Sequence, residues 1–138
     1  MTAYNNMVGP VNAHCVDMEV VTVKFLPNGG SSPTSVSAPF TTTVTRTAAG
    51  TYTVSMVGWS PKSVLGAHAI GTDAANAKAT RVAVDGAFTV TNSTKTVSFF
   101  VTTTDLAGTP KDIAANAAST VQIVLFGKVY PGTDKTGQ

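Results

Sequence analysis

The sequence predicts an all-β fold: an antiparallel β-sandwich of jelly-roll or Greek-key type, with an irregular N-terminal arm and at most one short helix. Short runs that alternate apolar and polar residues recur about seven or eight times, with turn signals every 8–12 residues. Charged residues make up only 12% of the chain, and Thr, Ser, Ala and Val replace them; β-branched residues among these suit a pleated, half-buried surface. Turns rather than long helices separate the runs, which argues against a parallel α/β sheet.

The length of 138 residues corresponds to one domain. A hydrophobic share of 43% with a net charge of +2 predicts that most of the chain folds. We expect an arm over residues 1–16, a β-sandwich domain over 17–130 and a flexible tail over 131–138. The single cysteine, Cys15, excludes an intramolecular disulfide.

Charge and hydropathy exclude several partners. The nine Lys and Arg residues are spread evenly along the chain, whereas a nucleic-acid binder needs them clustered on one face. The N-terminus lacks the basic start and apolar run of a secretory signal, and no stretch approaches the ~20 apolar residues of a membrane span. We therefore expect a soluble protein, made in the cytoplasm, that binds neither nucleic acid nor membrane.

The first strand is predicted over residues 17–26, where Val21, Val23 and Phe25 share one face with Glu19. Residues 27–33, PNGGSSP, end this strand as an exposed loop or flexible connector.

Residues 40–59 form the clearest hairpin of the chain, because its two arms carry matched side chains. A three-residue loop at Ala48-Ala49-Gly50 uses Gly50 for the left-handed conformation. Arg46 opposite Tyr52 predicts a cation–π or stacking pair that fixes the register. The predicted pairs are Thr47 with Thr51, Arg46 with Tyr52, Thr45 with Thr53, Val44 with Val54, Thr43 with Ser55, Thr42 with Met56 and Thr41 with Val57.

The middle of the chain predicts a short apolar strand over residues 64–71 and a small-residue loop with some helical propensity over 72–79. Asp85-Gly86 between two alternating runs predicts a second hairpin, with arms at 80–84 and 87–91. A turn at Asn92-Ser93-Thr94 leads into a strand over 95–104. The side chains of Val97, Phe99 and Val101 share one face of that strand.

Residues 105–120 are the one place where a helical turn is predicted. Thr109 suits the cap, Pro110 the first helical position and Asp112 the first turn, but only Ile113 anchors the segment, so a loop is the alternative. The last strand, over 121–130, is apolar on both faces, which places it centrally between layers or in an interface.

The sequence predicts no catalytic, cofactor-binding or metal-binding residue. His14 and Cys15 are adjacent, so their side chains would point in opposite directions in a strand, and a polar arm is the simpler interpretation. His68 has no second His or Cys at ligand spacing, which favours a structural or half-buried histidine. Most carboxylates fall in turns, where Asp is favoured for its backbone hydrogen bonds. A small glycan hydrolase stays the weakest hypothesis.

Two motifs resemble a known class of protein. TVTRTAAGTYTVSM (residues 43–56) and TDLAGTPKDIAANAASTVQIVLFGKV (104–129) lie in a Thr-rich, charge-poor frame. Together they resemble small bacteriophage virion proteins. The residues that carry the resemblance are Val44, Arg46, Gly50, Tyr52, Thr53 and Val54 in the first motif, and Asp112, Ile113, Ala114, Ala115, Asn116, Val121, Ile123 and Leu125 in the second.

The resemblance implies a capsid decoration, or cement, protein without enzymatic activity or cofactor. Such a protein would bind the major capsid protein on the outer capsid surface of the virion, brace neighbouring capsomers and associate with itself, often as a trimer. It would assemble in the host cytoplasm. The arm, the loops and the last strand are where we expect assembly contacts, with the candidates Tyr4, Met7, Val8, Val11, Trp59, Phe126 and Tyr130.

An alternative function is a phage tail or fibre module that binds a host surface glycan. In that case Tyr52, Trp59 and Tyr130 would lie exposed in a shallow groove and stack on sugar rings.

Overall fold

The computed structural model describes residues 18–76 and 79–129, and these form two antiparallel four-stranded sheets packed face to face. The predicted β-sandwich is confirmed. The strands are β1 (Met18–Phe25), β2 (Val36–Ser37), β3 (Thr41–Ala48), β4 (Thr51–Val57), β5 (Ser63–Thr72), β6 (Arg81–Thr91), β7 (Thr96–Thr104) and β8 (Thr120–Lys128). Sheet I has the order β2-β1-β8-β5, and sheet II has the order β3-β4-β7-β6.

The core lies between the two sheets and follows the alternation of the strands. Val21, Val23 and Phe25 share one face of β1, as predicted, and the structure buries all three. The central strands β4, β7 and β8 also bury every second residue. The last strand lies in the middle of sheet I, between β1 and β5, but not between two layers as one of the two predicted alternatives required, because only one of its faces is buried in the core. The buried side chains of these three strands are Tyr52, Val54, Met56, Val97, Phe99, Val101, Thr103, Val121, Ile123 and Leu125.

The hairpin of β3 and β4 has the predicted register over six pairs, from Thr41 opposite Val57 to Arg46 opposite Tyr52. Its end differs from the prediction. Ala48 rather than Thr47 pairs with Thr51, so Thr47 is the extra residue of a bulge. The connection is correspondingly short, and Gly50 has the predicted left-handed backbone, with φ of +63°.

The predicted second hairpin around Asp85-Gly86 is wrong. Residues 81–91 form the single strand β6, which pairs with β7 on both sides of a register shift between Asp85 and Thr89. Gly86, with φ of +82°, lies in this irregular part. A glycine with positive φ serves a bulge as readily as a turn. Because β7 is long enough to pair with both halves of β6, the chain reverses only at residues 92–95.

Of the two alternatives for residues 105–120, the loop is observed and the helical turn is not, because the described residues contain no helix. Residues 105–119 form a long irregular loop, referred to below as the closing loop. Ile113 is its anchor, as predicted, and is fully buried in the core. The arm over residues 1–16 and the tail over 131–138 lie outside the described residues.

Gly50 provides a test of the close approach between the hairpin and the closing loop. A Cβ at Gly50 would lie 2.6 Å from the Lys111 backbone nitrogen and still closer to the Thr103 carbonyl oxygen. Gly29 has a similar φ of +59° but open space around it. We expect Gly50→Ala to lower the free energy of unfolding by about 2–4 kcal/mol and Gly29→Ala by about 1 kcal/mol. Equal losses in urea unfolding would show that backbone strain alone acts at Gly50.

Candidate docking surface

The closing loop is fixed to the hairpin by the carboxylate of Asp112. Arg46 Nε donates to Asp112 Oδ1 at 2.9 Å, and an Arg46 terminal nitrogen donates to Oδ2 at 2.8 Å. The Gly50 amide also donates to Oδ1, at 2.9 Å. The hydrogen bonds from Arg46 and Gly50, with the positive charge of Arg46, outweigh burial and lower the pKa of Asp112. Asp112, and not the ring of Tyr52, is therefore the partner of the guanidinium group, which corrects the predicted cation–π pair.

A second carboxylate, that of Asp73, fixes the turn after β5. Burial alone would raise its pKa, but hydrogen bonds from the Thr80 hydroxyl and the amides of Ala75 and Asn76, with the charge of Lys111, lower the pKa instead. The Lys111 ammonium lies 3.7 Å from Asp73 Oδ2. The carboxylate is only 3% exposed and has several hydrogen-bond partners, so its role is structural.

The Trp59 ring is part of the core. It is 3% exposed, stacks on Phe40 with 6.1 Å between ring centroids, and donates from Nε1 to Glu19 Oε1 at 2.6 Å. Gly127 lies directly against the ring, since a Cβ there would overlap it. Tyr52 is fully buried too. Neither ring is exposed, so the predicted glycan groove does not form around them, and Trp59 does not have the exposure that an assembly contact needs.

The Tyr52 hydroxyl is a buried polar group without a hydrogen-bond partner in the structure. The nearby Thr103 hydroxyl donates to the Lys111 carbonyl instead. Burial raises the pKa of the Tyr52 phenol, and the negative charge of Asp112 raises it further. The hydroxyl therefore stays protonated, and its burial without a partner opposes folding.

The other described residues that could act in catalysis or bind a metal ion do not lie together. His68 is exposed on β5 opposite Val124, not half-buried as predicted. Among the residues that the structure describes, no three His, Cys, Asp or Glu side chains group into a possible metal site. His14 and Cys15 lie outside the described residues.

The outer face of sheet I carries an apolar patch. Val20 of β1 is 56% exposed and lies opposite Phe126 of β8, which in turn lies opposite Gly66 of β5. In the next row Val124 lies between Thr22 and His68. Leu65, beside Gly66, is 59% exposed. We call the side chains of Val20, Leu65, Val124 and Phe126 the apolar patch.

Lysines mark both ends of this patch. Lys128 pairs with Met18 one row beyond Val20, and Lys24 pairs with Gln122 one row beyond Val124. Both lysines are exposed. The patch is therefore an apolar centre with a positive residue at each end.

The outer face of sheet II differs in chemistry. One complete row across its four strands carries hydroxyls, namely Thr43, Ser55, Ser98 and Thr89. Phe100 and Val57 are its exposed large apolar residues, and they lie in different rows. A hydroxyl-rich face stays hydrated at little cost, so the two faces of the domain have different preferences for contact with another surface.

The structure locates two of the seven predicted assembly residues. Phe126 lies half-buried in the apolar patch, whereas Trp59 lies in the core. Tyr4, Met7, Val8, Val11 and Tyr130 lie outside the described residues. Val20 and Leu65 are surface residues that the sequence did not predict as contacts. An apolar residue on the outward side of the first strand was the available signal for Val20.

A comparison of the chain with protein-family models, with curated proteins and with solved structures found no match. Within residues 18–76 and 79–129, no helix has the length and apolar character needed to cross a membrane.

The Asp112 contact predicts an acid-sensitive part of the stability. A carboxyl group whose pKa is lowered by folding stabilises the native state fully above its unfolded pKa of about 3.9, and this contribution is lost as pH falls through the lowered value. Asp112→Asn should lower the free energy of unfolding by about 1–3 kcal/mol at pH 7, since charged hydrogen bonds are lost. When urea unfolding is measured from pH 7 to pH 3, the free energy of unfolding should fall less for the variant than for the native protein. An equal fall for both proteins would contradict this role of Asp112.

Removal of the Tyr52 hydroxyl tests whether this group lacks a hydrogen-bond partner. We expect Tyr52→Phe to leave the free energy of unfolding unchanged or to raise it by up to about 2 kcal/mol, because no satisfied hydrogen bond is lost and the cost of burying an unpartnered hydroxyl is removed. Phe99→Leu, at another buried aromatic position, should lower the free energy of unfolding by more than about 1 kcal/mol, because core packing is lost. A loss of about 2 kcal/mol for Tyr52→Phe would show that the hydroxyl is bonded.

Proposed function

We propose that this protein is a non-enzymatic structural protein of a bacteriophage particle that binds the outer capsid surface and stabilises the shell by bridging capsomers. The observation that carries the proposal is the apolar patch on one outer face of a domain whose opposite face is rich in hydroxyls. A domain with two such different faces suits attachment through one face while the other stays in water.

The two motifs that resemble virion proteins support the proposal and have a clear structural role. Arg46 and Gly50 belong to the first motif and Asp112 to the second, and all three meet in one contact. The residues of the motifs that form this contact therefore have a scaffold role. The apolar patch uses other residues, and two of them, Val124 and Phe126, lie within the second motif but on the outer face of β8.

The patch also specifies the chemistry of its partner. Its centre requires an apolar surface, and Lys24 and Lys128 at its ends favour carboxylates at the rim of that surface. Burial of one large apolar side chain contributes about 1.5–3 kcal/mol before the cost of association. A single patch of this size binds weakly, so tight attachment requires many copies that act together on a symmetric shell.

The alternative, a tail or fibre module that binds a glycan, loses its main support. Its predicted sugar-stacking rings included Tyr52 and Trp59, and both are buried within the domain. Capsid bracing therefore remains the function that we propose.

Val20 and Val57 provide a matched pair of substitutions to test the proposal. Val20 lies in the apolar patch and is 56% exposed, whereas Val57 lies on the outer face of sheet II and is 48% exposed. A lysine at position 20 should oppose burial of the patch. We expect Val20→Lys to weaken binding to phage heads prepared without the protein at least tenfold, which is about 1.4 kcal/mol. Val57→Lys should change binding less than twofold.

Co-sedimentation of the purified protein with these heads measures binding, and release of DNA on heating measures shell stability. Bound native protein should raise the temperature of DNA release, and Val20→Lys should not do so at the same concentration. The proposal is wrong if the native protein does not bind the heads, or if both variants bind as the native protein does.

A further inference from the structure

β5 is an edge strand without the features that usually protect an edge. It pairs with β8 along one side from Ser63 to Thr72, and the described residues provide no strand on its other side. Its sequence, SVLGAHAIGT, contains no Lys, Arg, Asp, Glu or Pro. A long and uncharged edge strand is a template for pairing with another strand. The bulge at Leu65 interrupts its ladder with β8 only near one end.

The other three edges of the sandwich are protected. β2 is only two residues long. On β3, the Ser32 hydroxyl accepts a hydrogen bond from the Arg46 amide at 2.9 Å, so a loop covers part of that edge. β6 carries the charged residues Arg81 and Asp85 and an irregularity after Asp85. Bulges, charges, short strands and covering loops are the means by which natural sheets avoid edge pairing.

The core is also incompletely covered along this side of the domain. β5 and β6 are edges of different sheets, and they contact each other, since a Cβ at Gly71 would overlap Val82. Inward apolar residues on both strands are only half-buried, whereas those of the central strands are buried. We call these residues the open flank: Val64, Ala67, Ala69, Val82, Val84, Phe88 and Val90.

We propose that β5 pairs antiparallel with β5 of a second copy of this chain. The strand is self-complementary, because antiparallel pairing of a strand with itself satisfies the unpaired backbone groups of both copies. No charge on either strand opposes the contact. Pairing also brings the half-buried residues of the two open flanks next to each other, so apolar area is buried beside the new backbone ladder.

The contact has a two-fold axis and therefore closes at two copies. It joins the two copies of sheet I into one eight-stranded sheet. Leu65 and Phe126 lie on β5 and on its neighbour β8, so the apolar patches of the two copies become part of one outer face. The proposed pairing rests only on the unprotected edge of β5 and on the open flank, and it does not depend on capsid binding.

Sedimentation of the full chain over a range of concentrations tests the pairing. The native protein should reach twice the 14.1 kDa mass of one chain. Hydrogen exchange of the β5 amides should slow as the dimer fraction rises, while exchange in β3 should not change. A protein that stays monomeric, a trimer, or a dimer whose β5 exchange is independent of concentration would overturn the proposal.

A pair of double variants identifies the surface. His68→Lys with Ile70→Lys adds charge to the exposed face of β5, where Ile70 is 50% exposed, and like charges on paired strands repel. Val57→Lys with Phe100→Lys adds two lysines to exposed positions on the central strands of sheet II. We expect the first variant to weaken dimerisation at least tenfold and the second less than twofold. Equal effects, with both variants folded by circular dichroism, would contradict pairing through β5.

Strand pairing and capsid binding can each be contradicted without the other. Val20 lies on β1, away from the edge, so Val20→Lys should keep the dimer while it loses binding to heads. A dimer that does not bind heads would leave the strand pairing correct and the capsid proposal wrong.

Discussion

The closing loop, residues 105–119, is the element on which the ends of both sheets depend, and Asp112 is its main polar contact. Its carboxylate binds Arg46 and the Gly50 amide at the end of the sheet II hairpin. The Ile113 carbonyl accepts from the Gly29 amide after β1, which belongs to sheet I. The loop has no regular structure of its own, so its position is determined by backbone hydrogen bonds to both sheets and by the side chains of Asp112 and Ile113.

This constraint explains several local features together. Gly50 must lack a side chain because the closing loop passes directly over it. Lys111 bonds with Thr103 through its backbone and approaches Asp73 with its ammonium group. The Ala74 amide donates to the Ser119 hydroxyl at the far end of the same loop. Several of the half-buried side-chain hydrogen bonds therefore join segments that are distant in sequence.

Much of the fold follows from local patterns. The alternation in β1, β7 and β8 predicted which side chains share a face because a strand places successive side chains on opposite sides. The hairpin register over residues 41–57 followed from matched cross-strand pairs. Asp85-Gly86 was misinterpreted because a positive-φ glycine fits both a turn and a bulge. Asp112 was assigned to a helix start because its partners, Arg46 and Gly50, are more than sixty residues away.

The sequence by itself determined the fold class, most strand positions and the anchor role of Ile113, since these depend on composition and on neighbours within a few residues. Tertiary structure alone decided which apolar residues face the core and which remain outside. Trp59 became a core residue because Phe40, Glu19 and Gly127 surround it. Val20 and the β5 edge remained uncovered because no described segment packs over them, and coverage is set by long-range packing that no local pattern specifies.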